Sequence, residues 1–213
     1  MVSLCLTLIP LALLIAAPLT WLLILASRRI GAFDSSGVPG QVKAPPRRIP
    51  NTGGIAIFLA IMLPVMLGIA LLTVVPESAI PEPLRVHLPG IVARRPLALL
   101  VAGCTLLLHL MGLIDDRRPL GPFLKLGIMA LPALAVPLIT TLFPALGETR
   151  LLTFFDASVG GPWLSIALTA GWILLVTNAM NFMDNMDGLS AGTAAVAGGF
   201  FFCASLVSGQ WFV

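Results

Sequence analysis

The chain has 213 residues, 58% of them hydrophobic and only 10% charged, with 12 basic and 9 acidic side chains. Soluble domains carry about 25% charged residues, so this composition excludes a disordered segment, a solvated coiled coil and a basic nucleic-acid binder. Cys5, Cys104 and Cys203 lie far apart in apolar runs, and His87 and His109 are too few and too separated for zinc, so neither a disulfide framework nor a metal-ligand spacing is present.

Six stretches lack Asp, Glu, Lys and Arg altogether: 1–27, 49–76, 96–114, 126–147, 157–183 and 188–213. A helix rising about 1.5 Å per residue needs ~20 apolar residues to cross a hydrocarbon core about 30 Å thick. Backbone groups in hydrocarbon must be bonded within their own segment, which makes each stretch a helix. The predicted spans are 4–26, 53–75, 96–114, 123–146, 162–182 and 190–210, forming one polytopic all-α membrane domain over 1–213. A cleaved signal peptide is the rival for the first span. It lacks a basic n-region, its apolar run is too long, and five spans follow.

Along the chain, the loop after the first span carries Arg28, Arg29, Lys43, Arg47 and Arg48 and leads into Asn51-Thr52-Gly53-Gly54. The connection 76–95 is rich in Pro and Gly and shows no evident chemistry. The third span holds His109, read as a packed or hydrogen-bonded helix residue, and ends in Asp115-Asp116-Arg117-Arg118. The connection 147–161 again shows no chemistry. The fifth span ends in Asn178-Ala179-Met180-Asn181-Phe182-Met183-Asp184-Asn185-Met186-Asp187-Gly188.

Lys and Arg in short loops set orientation. Eight fall on one set of connections (Arg28, Arg29, Lys43, Arg47, Arg48, Arg117, Arg118, Lys125) and four on the other (Arg85, Arg94, Arg95, Arg150). The eight-charge side is expected to be cytoplasmic, with both chain ends outside. All three polar clusters then face the cytoplasm.

Asn178, Asn181, Asp184 and Asp187 are spaced by three, so each step turns about 60° around a helix and advances about 4.5 Å. They are predicted to wind as a polar stripe to the end of the fifth span, with Gly188 stopping that helix. Asn and Asp supply oxygen, the ligand type that hard cations such as Mg²⁺ prefer. Asp115 and Asp116 add two carboxylates, and ionisable groups at membrane depth usually mark a site. The two groups are expected to meet at the inner boundary around a divalent ion. Taken alone, Asp-Asp-Arg-Arg reads more readily as an interfacial charge cluster that pairs with itself and caps a span. A calcium loop is rejected because no acidic residue follows Gly188. The Gly53-Gly54 pair alone only permits close helix packing.

The segment 178–192 closely resembles the signature of the polyprenyl-phosphate N-acetylhexosamine-1-phosphate transferases, a family that includes phospho-MurNAc-pentapeptide translocase. Gly112-Leu113-Ile114-Asp115-Asp116-Arg117-Arg118 resembles that family's paired-Asp motif, and Pro50-Asn51-Thr52-Gly53-Gly54-Ile55-Ala56 its Gly-Gly segment. The short loop after Asp116 is nearer the undecaprenyl-phosphate GlcNAc-1-phosphate transferase branch, which starts teichoic-acid and lipopolysaccharide O-antigen synthesis. The resemblance implies the amino-terminal part of a fold of roughly ten spans, all helical for the reason already given.

It also implies a reaction. A sugar 1-phosphate passes from a UDP-N-acetylhexosamine to undecaprenyl phosphate with release of UMP, at the cytoplasmic face of the plasma (inner) membrane and with Mg²⁺. By similarity, Asn181 is a Mg²⁺ ligand and Asp187 a contact to uridine. Asp184 belongs to the same nucleotide-metal pocket, with Asn178 supporting it. Asp115 and Asp116 lie beside the lipid phosphate, one of them a candidate proton acceptor. Direct in-line attack is preferred over a covalent aspartyl intermediate. Arg47, Arg48, Arg117, Arg118 and Lys125 read either as phosphate binders or as topology determinants.

Two departures stand out. The family's later Gly-Asp metal-ligand segment and His-rich loop do not appear, so the sequence is expected to be a fragment or a truncated product, and residues 1–213 alone to be inactive. Met129 stands where a polar residue is expected after Lys125. The alternatives are a non-catalytic truncated membrane protein and a transporter. A transporter places its polar residues near the midplane, often in repeated halves, and neither feature is visible. Dimerisation is left open.

Overall fold

A computed structural model describes residues 2–31, 33, 50, 52–184, 186 and 188–209. Among the described residues, eight α-helices follow one another: α1 (Val2–Ile30), α2 (Gly53–Val74), α3 (Glu82–Arg85), α4 (Leu88–Arg117), α5 (Pro122–Leu142), α6 (Asp156–Val159), α7 (Trp163–Met183) and α8 (Leu189–Ser208). Six of them are long and apolar enough to cross a membrane. The described part is an all-α multi-span membrane protein, as its charge spacing predicts. No named strand occurs among the described residues, and Phe33 and Pro50 form one isolated antiparallel bridge.

Three spans differ from expectation. The first runs on to Ile30, so Arg28 and Arg29 lie in the last turn of α1 rather than in the loop after it. The third begins at Leu88, so Arg94, Arg95 and Pro96 lie inside α4. A helix tolerates Arg94 because its guanidinium leaves the helix face and donates to the Leu146 carbonyl at 3.0 Å. The fourth stops at Leu142, where Phe143 leaves helical geometry and Pro144–Leu146 forms a 3₁₀ turn. Prolines lie inside α1, α2, α4 and α5. In α5, Thr141 donates to the Pro137 carbonyl at 2.6 Å and Thr140 to the Val136 carbonyl at 3.0 Å. Hydroxyls of this kind give carbonyls near a proline a second partner.

The chain divides into two compact units. The first comprises Met1–Val86 and Ala102–Ile128, the second His87–Val101 and Met129–Val213. In the first, α1 packs along α2. The buried positions of α2 are Ala56 and Ala60, one turn apart, and such small residues let helix backbones approach where no hydrophobic force acts between them. Ser27 and Thr52 share a buried 2.7 Å hydroxyl bond where α1 ends and α2 begins. A net hydrogen bond contributes about 1 kcal/mol, and this one fixes the start of the Gly-Gly segment. In the second unit, Met129, Ala133, Pro137 and Thr140 lie along one face of α5 at helical spacing, and Ser165, Ile166, Thr169 and Ala170 along one face of α7. Met129 is only 3% exposed. Its place on the packed face of α5 explains an apolar residue where the resemblance predicts a polar one.

Candidate functional site

At the C-terminal end of α7, the helix ends at Met183 and Asp184 takes the capping position with ψ 39°. Gly188, at φ 80°, precedes α8 in the left-handed conformation, which glycine reaches without a Cβ penalty. The predicted stripe is therefore helical through Asn178 and Asn181 and leaves the helix at Asp184. Gly188 opens α8 rather than closing α7. The physical reason is local: an Asn/Asp-rich stretch competes for the helix's own backbone groups. Asn178 is half-buried, whereas Asn181 and Asp184 are exposed. Asp187 and Asn185 lie outside the described residues, as do Asn51, Lys43, Arg47 and Arg48.

Among the described residues, no three His, Cys, Asp or Glu side chains group closely enough to hold a metal ion by themselves. A Mg²⁺ site need not be such a cage, because this ion usually keeps waters and takes one or two carboxylates plus substrate phosphates. The donors on α7 and its cap are all oxygen, a set that fits this hard cation.

In the first unit, the α4–α5 turn is built on Asp115. Its Oδ1 accepts the Leu120 amide N–H at 2.8 Å, and its Oδ2 meets Lys125 Nζ at 2.8 Å. Pro119 lies between and cannot continue the helix, so the carboxylate staples the chain as it turns into α5. Lys125, read from sequence as a phosphate binder or a topology determinant, is thus the partner of Asp115. Asp116, Arg117 and Arg118 are exposed.

The sequence reading missed a third polar group, in the connection taken to carry no chemistry. Arg150 is 12% exposed. Its Nε and Nη2 grip Glu148 at 3.0 and 2.7 Å, and its Nη1 donates to Asp156 Oδ2 at 2.7 Å and to Ser165 Oγ at 3.0 Å. The fork holds the Glu148 carboxyl below its ordinary range. The same contact raises the Arg150 guanidinium further. Buried Thr169 accepts the Leu151 amide at 2.8 Å. Leu152 at φ 58° and Gly147 at φ 100° complete a tightly determined path. The only sequence signal was three opposed charges, Glu148, Arg150 and Asp156, within nine residues.

A probable undecaprenyl-phosphate N-acetylglucosaminyl 1-phosphate transferase of Bacillus subtilis is 24% identical over 168 residues, 79% of this chain and 39% of its own length. A phospho-N-acetylmuramoyl-pentapeptide-transferase of Shouchella clausii is 28% identical over 162 residues, 71% of this chain and 43% of its own. The chain thus spans about two fifths of the length of the curated relatives it matches. No solved structure matches. Residues 98–213, just over half of the chain and inclusive of both acidic motifs, match glycosyl transferase family 4, and the protein belongs to that family.

Proposed function

We propose that the protein transfers N-acetylhexosamine 1-phosphate from a UDP-sugar to undecaprenyl phosphate, releasing UMP, as the first membrane step of a cell-envelope glycan such as a teichoic acid or O-antigen. The observation that carries this reading is the oxygen-only cluster at the end of α7, within the stretch that matches the family. The names of the two relatives support it, the first pointing to UDP-N-acetylglucosamine as donor.

In this reading an oxygen of the lipid phosphate attacks the phosphorus that bears the sugar. The bond from that phosphorus to the bridging oxygen breaks, and the electron pair leaves on UMP. A phosphate monoester has a second pKa near ~6 and is mostly dianionic at neutral pH, so it attacks directly and needs little help from a base. Asn181 and Asp184 would hold the nucleotide's Mg²⁺, which when bound would offset like charges between phosphates and carboxylates. Asn178 supports these two residues, and Asp187 contacts the uridine. Asp115, already engaged on both oxygens, holds Lys125 and the turn. Asp116, the second carboxylate of the paired-Asp motif, faces the lipid phosphate. The reaction belongs on the cytoplasmic face of the plasma membrane, where the nucleotide substrate is found.

The test is transfer of label from UDP-N-acetylglucosamine to undecaprenyl phosphate by the natural gene product in membranes. Asp116→Asn and Asp187→Asn should abolish labelling, and chelation should stop it until Mg²⁺ is restored. Labelling indifferent to both substitutions would reject the site, and a donor other than an N-acetylhexosamine nucleotide would reject the substrate.

A further inference from the structure

We propose that His109, stacked on Phe58, is the rotational stop of α4 and so a positioning residue for Asp116. The proposal rests on the role given to Asp116 above. The two rings lie face to face, centroids 4.4 Å apart and 6° from parallel. The stack sits beside Gly54: a Cβ added there would find His109 Cε1 at 3.9 Å as its nearest neighbour. The imidazole therefore lies within ordinary van der Waals reach of the first turn of α2.

Helix geometry carries the effect to the carboxylates. Asp116 follows His109 by seven residues, a net rotation of about 20°, and so shares its face of α4. Asp115 follows by six, which puts it about 120° away, where Lys125 and the Leu120 amide hold it. One tie alone leaves a helix free to roll. Two ties on different sides, one to α2 and one to the start of α5, fix its rotation. The rotation decides which of two adjacent carboxylates turns toward Lys125 and which shares the face of His109. A polar ring among Leu106, Leu107, Leu108 and Leu110 is costly, and Leu in its place would pack against lipid at no such cost. A branched side chain cannot lie flat against Phe58, so the stack gives the imidazole a function that Leu lacks.

The test needs no activity. With Cys5, Cys104 and Cys203 replaced by Ala, single cysteines at 114, 116, 117 and 118 are labelled with a membrane-impermeant maleimide in vesicles. His109→Leu and Phe58→Leu should shift the order of labelling rates around the helix, and His109→Phe, which keeps a flat ring, should retain the parent order. An unchanged order in both leucine variants would overturn the proposal. So would a shift in His109→Phe equal to that in His109→Leu. In the natural gene product, His109→Leu should lower kcat about tenfold with KM for the UDP-sugar within about twofold, and His109→Phe should restore it. A rise in KM alone would overturn the positioning role. A parent protein with no transfer activity would reject the transferase reading and leave the labelling order to decide the stack.

Discussion

The two ends of α7 handle polar groups in opposite ways. At its N-terminal end, Ser165 and Thr169 are buried and bonded, and Arg150 is closed in by Glu148, Asp156 and Ser165. At its C-terminal end, Asn181 and Asp184 are exposed and the helix stops. Charge density is higher at the first end, yet the stretch that resembles the family signature lies at the second. Charges that answer one another within the protein build structure, and oxygen donors on an exposed surface lie within reach of a ligand. Variants at the first end should therefore change stability and leave the donor set intact, while variants at the second should do the reverse.

The largest effect is expected from Arg150→Ala. It strands Asp156, whose Oδ1 is already buried without a partner among the described residues. Removing one partner of a largely buried pair costs about 3 kcal/mol, read as a lowered unfolding temperature in detergent, with Arg150→Lys intermediate. Unchanged stability would erase the contrast between the two ends. Next is Asn181→Ala in the natural gene product, expected to lower transfer about 100-fold while the unfolding temperature stays put. A parallel loss of stability would make Asn181 a structural residue.

Gly147→Ala should cost about 2 kcal/mol, because an L side chain at φ 100° is strained. The new Cβ would also collide with the Arg94 guanidinium and displace it from the Leu146 carbonyl.

The smallest effect is acid sensitivity at Glu148. Its folded pKa lies below the ordinary value of 4.5, so its contribution is full above that value and is lost as pH falls through the folded pKa. Half-exposure screens the pair, and the loss should stay under about 1 kcal/mol. Unfolding temperatures recorded from about pH 5 downward should show this slope in the parent and lack it in Glu148→Gln.

Much of the fold was legible because a bilayer leaves few options. Charge-free runs near the hydrocarbon thickness must be helices, and five of the six predicted spans begin within two residues of an observed helix start. The exception is the third. There, excluding charged residues cut a helix that continues through Arg94 and Arg95, because one of those guanidiniums finds a carbonyl far along the chain. The α7 motif was legible as residue types, since Asn and Asp at intervals of three are costly without a purpose. Where its helix would stop was not, because capping depends on local backbone geometry. The ring stacked on His109 was equally hidden, since Phe58 lies 51 residues away in sequence.

The sequence by itself determined the number of spans, the membrane class and the family, because each follows from hydrophobic length or from residues adjacent along the chain. Only the tertiary structure decided that Lys125 belongs to Asp115, that Arg150 holds the start of α7, and that His109 lies on Phe58. Each of these contacts joins residues apart in the chain, and no rule of spacing chooses among the partners that composition allows.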